Sequence, residues 1–126
     1  MQMKTKTLII AGLLLAITTG TAFAGNYVTQ GGLTWKPVDS TKLNWEDAND
    51  FCTTRSFNGQ TGWRLPKKYE LTMLYESGAM KDQGWTLNGT WSSTPDGSGG
   101  HYNVYLYGGY VVSSNDTGSG YVTCVR

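Results

Sequence analysis

Thr61-Gly62-Trp63-Arg64-Leu65-Pro66-Lys67-Lys68-Tyr69-Glu70-Leu71 puts a turn, an arginine between two bulky apolar residues, a proline and the start of an amphipathic run into one short stretch. Gly62 admits a backbone angle that other residues resist, and Pro66 presets the angle of a first helical turn. In an extended lead-in, Trp63 and Leu65 share one face while the Arg64 guanidinium points to the other. An arginine so placed ties its loop to a neighbouring carboxylate or to backbone carbonyls. Beyond the proline, Leu71 and Leu74 lie one helical turn apart, with Met73 and Tyr75 beside them. That spacing predicts a short helix with one buried stripe, closed by Gly78 after Ser77. The stretch reads as architecture and names no reaction.

Working upstream, Leu43-Asn44-Trp45-Glu46-Asp47-Ala48 carries a helix start. Asn44 suits the cap, acids fill the first turn, and Leu43 and Ala48 take the staple positions around it. Trp45, Ala48, Phe51, Cys52 and Arg55 follow helical spacing, and Asn58-Gly59 is the expected end of this first helix. Earlier still, Tyr27-Val28-Thr29 and Leu33-Thr34-Trp35-Lys36 read as two short strands around a Gly31-Gly32 turn. The chain opens with Lys4 and Lys6, an apolar run from Leu8 to Ile17 and then Ala22-Phe23-Ala24. This is the pattern of a secretory signal peptide over residues 1–24, leaving one domain over 25–126. The apolar run, about ten residues, falls short of the roughly 20 that a spanning helix needs, so no membrane insertion is expected after cleavage.

Ten Lys and Arg stand against nine Asp and Glu. Without Lys4 and Lys6 the balance is eight against nine, a charge of −1, which gives no general attraction to nucleic acid or to anionic lipid. Cys52 and Cys124 both lie beyond the leader, and an even count in an oxidising compartment argues for one disulfide. The competing readings, a metal pair or a redox pair, lack support: two cysteines and His101 fall short of a zinc set, and no C-x-x-C is present. No metal or cofactor is implied.

Downstream, residues 78–89 have little periodicity, with Trp85 and Leu87 as anchors. Thr90 to Thr94 reads as a strand, Pro95 to Gly100 as a long turn-rich loop leading to His101, and Tyr102 to Tyr107 as a strictly alternating strand. Gly108-Gly109 is then a two-residue turn into Tyr110-Val111-Val112, Ser113 to Gly120 a second polar loop, and Tyr121 to Arg126 a closing strand. The expected fold is α+β: two short helices, a late antiparallel sheet and long loops, with the last strand bonded back to the first helix.

Five motifs in order then carry a resemblance: Leu33-Thr34-Trp35; Trp45-Glu46-Asp47-Ala48 with Cys52; Gly62-Trp63-Arg64-Leu65-Pro66 with Glu70-Leu71; Trp91-Ser92-Ser93-Thr94; and Tyr121 to Arg126. Together they resemble the Lcl C-terminal domain family, exported bacterial modules related in fold to C-type-lectin-like and formylglycine-generating-enzyme-like domains. The resemblance implies a C-type-lectin-like single domain, a structural role for Trp45, Trp63, Arg64, Leu65, Pro66, Glu70 and Trp91, and a function in surface adhesion. Glycosaminoglycan binding is known for the member that gives the family its name. The family commonly has Thr or Ser after the proline of W-R-L-P, completing a capping box with the later glutamate; here Lys67 stands there and offers no acceptor. The acidic-Pro-Asn and Trp-Asn-Asp signatures of calcium-dependent lectins are absent, as is a collagen-like stalk.

Two features bear on binding. On the hairpin from Tyr102 to Tyr110, Tyr105, Tyr107 and Tyr110 fall opposite Val104 and Leu106, either as an exposed aromatic contact surface or as ordinary residues of a half-buried strand. Lys67 and Lys68, at a helix start, are either an anion site or two solvated lysines. His101 has no triad partner in view, so an enzyme is not expected. The expectation is an exported, non-catalytic module, at the periplasm, cell surface or outside the cell, recognising a polysaccharide. The alternative is an assembly subunit of a surface or fibre complex that binds a protein.

Overall fold

In the computed structural model, which describes residues 25–126, the chain runs β1 (Val28–Gln30), β2 (Leu33–Trp35), β3 (Lys42–Leu43), α1 (Trp45–Thr54), α2 (Lys68–Ser77), β4 (Gly89–Pro95), β5 (Gly100–Tyr105), β6 (Tyr110–Asn115) and β7 (Gly120–Tyr121). The leader expected over residues 1–24 lies outside the described residues. β1 and β2 form a hairpin, and the other strands make one sheet in the order β3-β7-β4-β5-β6. All its pairings are antiparallel except β4 with β7, so the late sheet is mixed rather than purely antiparallel.

Alternation along β4 and β5 divides the core between the two faces of the sheet. Val104, paired with Thr90, packs with Trp35, Leu71, Leu74, Met80 and Val125 on the α2 side. Trp91, one residue out of phase, packs with Ala48, Cys52, Trp63, Leu65 and Cys124 on the α1 side. Each helix thus covers one face. Trp35 and Trp91 are fully buried, and their indole N–H groups donate to the carbonyls of Gln30 and Leu43. Aromatic bulk is thereby buried without an orphaned donor.

The stretch 61–71 behaves as its residue types require. Trp63 and Leu65 are buried, and Arg64 points outward into a fork with Glu70, Nη1 and Nη2 each 2.9 Å from a carboxylate oxygen. The sequence placed Pro66 in the first helical turn. It precedes the N-cap Lys67 instead, and its carbonyl accepts from Ser93 N–H at 2.8 Å. Extended backbone at Lys67 (φ −75°, ψ 158°) delays the helix to Lys68, while Gly78, in the left-handed region, closes it as expected.

Several boundaries differ from the sequence reading. α1 stops at Thr54; Asn58 and Gly59 (φ 54° and 75°) are the tip of a small two-residue turn between Phe57 and Gln60, the geometry Asn-Gly favours over a helix end. The expected strand from Tyr121 to Arg126 is split: β7 ends at Tyr121, and Val125 bridges both Trp35 and Arg64. β6 runs on to Asn115, so the second polar loop is shorter than expected. The Pro95–Gly100 loop is likewise tight, because the Asp96 carboxylate accepts from the Ser98 and Gly100 amides and from the Ser113 hydroxyl. The Ser113 hydroxyl first, then those amides, holds the Asp96 carboxyl below the usual carboxylate range. The Cys52–Cys124 disulfide joins α1 to the C-terminal segment.

Candidate functional site

Register places His101, Asn103 and Tyr105 of β5 on one face with Ser114, Val112 and Tyr110 of β6. α1 covers only part of this face. Trp45, at its start, stacks on the His101 ring (centroids 3.7 Å apart, planes 7° from parallel), and the rest is open. Along the open part run three tyrosines. The Tyr107 ring meets Tyr105 edge-on at 5.6 Å and Tyr110 at 6.1 Å, with Tyr107 and Tyr110 59% and 62% exposed and Tyr105 half-buried. The hairpin tip that carries them is a four-residue turn, Leu106 to Gly109, rather than the two-residue turn read from Gly108-Gly109. Leu106 enters the core, and Gly109, at φ 80°, lies where a Cβ would come within 2.7 Å of the Tyr75 ring. A side chain there would push the turn off α2.

Beside the tyrosines is a hollow of about 100 Å³ lined by Lys42, Asn88, Asn103, Tyr105, Ser114, Ser119 and Tyr121. Its floor exists because position 89 is glycine; a Cβ there would meet the Tyr105 ring at 2.9 Å. Lys42 lies 5.4 Å over the Tyr121 ring and is the one charged group in this lining. Amide, hydroxyl and aromatic edges around a shallow polar floor form a surface that hydrogen-bonds in many directions and stacks on flat or ring-shaped ligands.

The lysine pair lies elsewhere. Tyr102 points to the opposite face from Tyr105, and Lys68 Nζ sits 4.1 Å over the Tyr102 ring. The adjacent helix amides are already engaged, Lys67 N–H by Glu70 Oε1 at 2.7 Å and Lys68 N–H by Thr94 Oγ1 at 2.9 Å. The structure therefore groups Tyr105, Tyr107 and Tyr110 with each other and leaves Lys67 and Lys68 apart from them.

Sequence reasoning missed the surroundings of His101. Its Nδ1 lies 2.6 Å from Asp116 Oδ1, while Asp116 O accepts from Trp45 N–H and Trp45 Nε1 donates to Ser92 O. The group stitches the β6–β7 turn to the start of α1. Among the described residues no hydroxyl or thiol hydrogen-bonds to this imidazole, and both cysteines are in the disulfide. The strict alternation of the Tyr102 strand, extended back by one residue, was the only signal for placing His101 on β5.

Two helices on opposite faces of a mixed sheet, with a late hairpin and a long-range disulfide, define a C-type-lectin-like domain. Solved structures show the same fold. They include the Yersinia pseudotuberculosis adhesin InvE (TM-score 0.62, 20% identity, 79% of this chain and 33% of that one) and botrocetin (0.58, 14%, 79% and 94%). The C-type lectin CEL-I from Cucumaria echinata is a third (0.50, 13%, 79% and 93%). This chain spans about a third of InvE. No curated protein sequence matches it. The family model of the Lcl C-terminal domain matches residues 28–126, and the chain belongs to that family.

Proposed function

We propose that this chain is an exported, non-catalytic binding module that recognises a polysaccharide or glycosaminoglycan through Tyr105, Tyr107, Tyr110 and the hollow beside them. One observation carries the reading: three tyrosines in edge contact, two of them more than half exposed, lead to a concave polar floor that Tyr105 lines. Exposed aromatics are costly to leave in water and are rigid contact elements for sugar rings. Family membership and the fold shared with an adhesin and a lectin support a binding role. Export is supported by the leader pattern and the disulfide, and no helix of the described residues is long and apolar enough to cross a membrane.

Binding of the exported protein to an immobilised panel of polysaccharides, sulfated and neutral, tests the proposal. The wild type should bind at least one, and Tyr107→Ala with Tyr110→Ala should reduce that binding while leaving the melting temperature in place. Equal binding by the variant rejects the tyrosine surface.

The alternative, an assembly subunit that docks a protein, is favoured by a separate groove of about 180 Å³ between the β1–β2 hairpin and α2. Leu33, Trp35, Tyr69 and Met73 line it, with Tyr69 57% and Met73 49% exposed. Capture of one protein partner, lost on Tyr69→Ala with Met73→Ala and kept in the hairpin variant, would establish that reading instead.

A further inference from the structure

The two edges of the five-stranded sheet are unlike. One is β3, only Lys42 and Leu43, short and charged, which is how proteins blunt an edge against pairing. The other is β6, Tyr110-Val111-Val112-Ser113-Ser114-Asn115, a full six residues with no charge and no proline. Val111 and Val112 point to opposite faces, and each is 42% exposed, so this edge is uncovered on both sides as well as along its outer backbone. Nothing in β6 discourages another strand.

We infer that β6 is a homodimerisation edge, at which two copies of this chain pair antiparallel about a two-fold axis and join their sheets. The edge is self-complementary in a definite sense. A two-fold axis perpendicular to the sheet keeps each face on its own side, so only residues of equal parity meet. Centred on Val111, the pairing engages Tyr110, Val111 and Val112 of each strand: Val111 meets Val111 of the second copy on one face, and Tyr110 meets Val112 twice on the other. These are β-branched and aromatic cross-strand contacts of the favourable kind. Charge agrees with this register. The acids beside the strand are Asp116, which follows its last residue, and Asp96, whose carboxylate accepts from the Ser113 hydroxyl closer to the centre of the pairing. About four residues then separate the two Ser113 positions, roughly 14 Å of strand and beyond the Debye length of about 8 Å. An extended partner with charged side chains would find no counter-charge on β6, whereas a second copy needs none. The pairing also brings the two tyrosine surfaces side by side, since Tyr110 belongs to both features.

Sedimentation equilibrium of the exported protein tests the inference, from about 10 µM to about 1 mM, the range of small interfaces. The wild-type mass should rise from one chain toward two. Val111→Lys sets like charges directly opposite and should weaken association by about tenfold or more; Val111→Glu should do the same. An equimolar mixture of the two variants should associate again, because the opposed pair is then Lys against Glu. Both substitutions fall at an exposed position, and unchanged melting temperatures would show that the fold is kept. Amide exchange on the wild type needs no variant, and β6 amides should slow as concentration rises. A single-chain mass throughout overturns the inference, as does a dimer indifferent to Val111→Lys or a mixture no more associated than either variant alone.

Discussion

Arg64 and Glu70 show how far single residues were legible. They are six apart, and a local reading of the stretch expected Arg64 to be tied to a neighbouring carboxylate or to backbone carbonyls. It does both, forking onto the two Glu70 oxygens at 2.9 Å and donating to Leu65 O at 3.2 Å. Burial alone would push the Glu70 carboxyl up, but the Arg64 guanidinium and the Lys67 amide hold it below its ordinary value. A carboxyl depressed in the folded state stabilises fully above its unfolded value of about 4.3, and that share is lost as pH falls through the lower folded value. Glu70→Gln should therefore cost about 1–2 kcal/mol at pH 7, the screened worth of a charge-assisted pair with Arg64 41% exposed. The deficit should shrink as urea melts are taken below about pH 4. A deficit that stays constant with pH would show that packing, not charge, holds the pair. At Lys67 the reciprocal half of the capping box is missing because an ammonium accepts nothing, so Lys67→Thr should raise stability by about 1 kcal/mol. By contrast, the His101–Asp116 pair was illegible: its partners are fifteen positions apart and meet only once the hairpin register is fixed.

At the scale of elements, periodicity located both helices, the β1–β2 hairpin and the alternating tyrosine strand. It failed where short-range chemistry and tertiary pairing competed. Asn58-Gly59 closed its own small turn after α1 had already stopped, and Gly108-Gly109 was drawn into a longer turn because Leu106 is taken by the core. The alternation told which side the tyrosines share but not whether that side was covered, since helix placement is a tertiary fact. Exposure now separates their energetics. Tyr107→Ala and Tyr110→Ala should each change stability by less than about 1 kcal/mol, as surface positions do. Tyr105→Ala, whose ring lies on the Gly89 backbone, should cost about 1–3 kcal/mol, less than full burial would give. If the tyrosine surface binds, loss of Tyr107 and Tyr110 together should remove at least about 1 kcal/mol of affinity. Gly89→Ala offers an independent probe. Its Cβ displaces the Tyr105 ring, so ligand affinity should fall without removal of any aromatic group.

For the molecule as a whole, the question is what holds the last segment, which joins every part of the fold. Val122, Thr123, Cys124 and Val125 are buried between the two core clusters. Their backbone bonds reach β2 and the Trp63–Leu65 lead-in: Lys36 N–H to Cys124 O at 2.8 Å, Arg64 N–H to Val125 O at 2.9 Å and Thr34 N–H to Arg126 O at 2.9 Å. The Thr123 hydroxyl adds a bond to the Lys36 carbonyl. The disulfide therefore ties down a segment already seated by its own backbone. Its contribution should come mainly from the unfolded chain, where a link between residues 72 apart removes about 4 kcal/mol of loop-closure freedom. Cys52→Ala with Cys124→Ala should lower stability by about 2–5 kcal/mol in urea melts. The exchange pattern of the Lys36, Arg64 and Val125 amides should nevertheless stay native below the melting transition. If those amides instead lose protection in the folded variant, the bridge is what seats the segment, and the two clusters are held together by sulfur rather than by the backbone that runs between them.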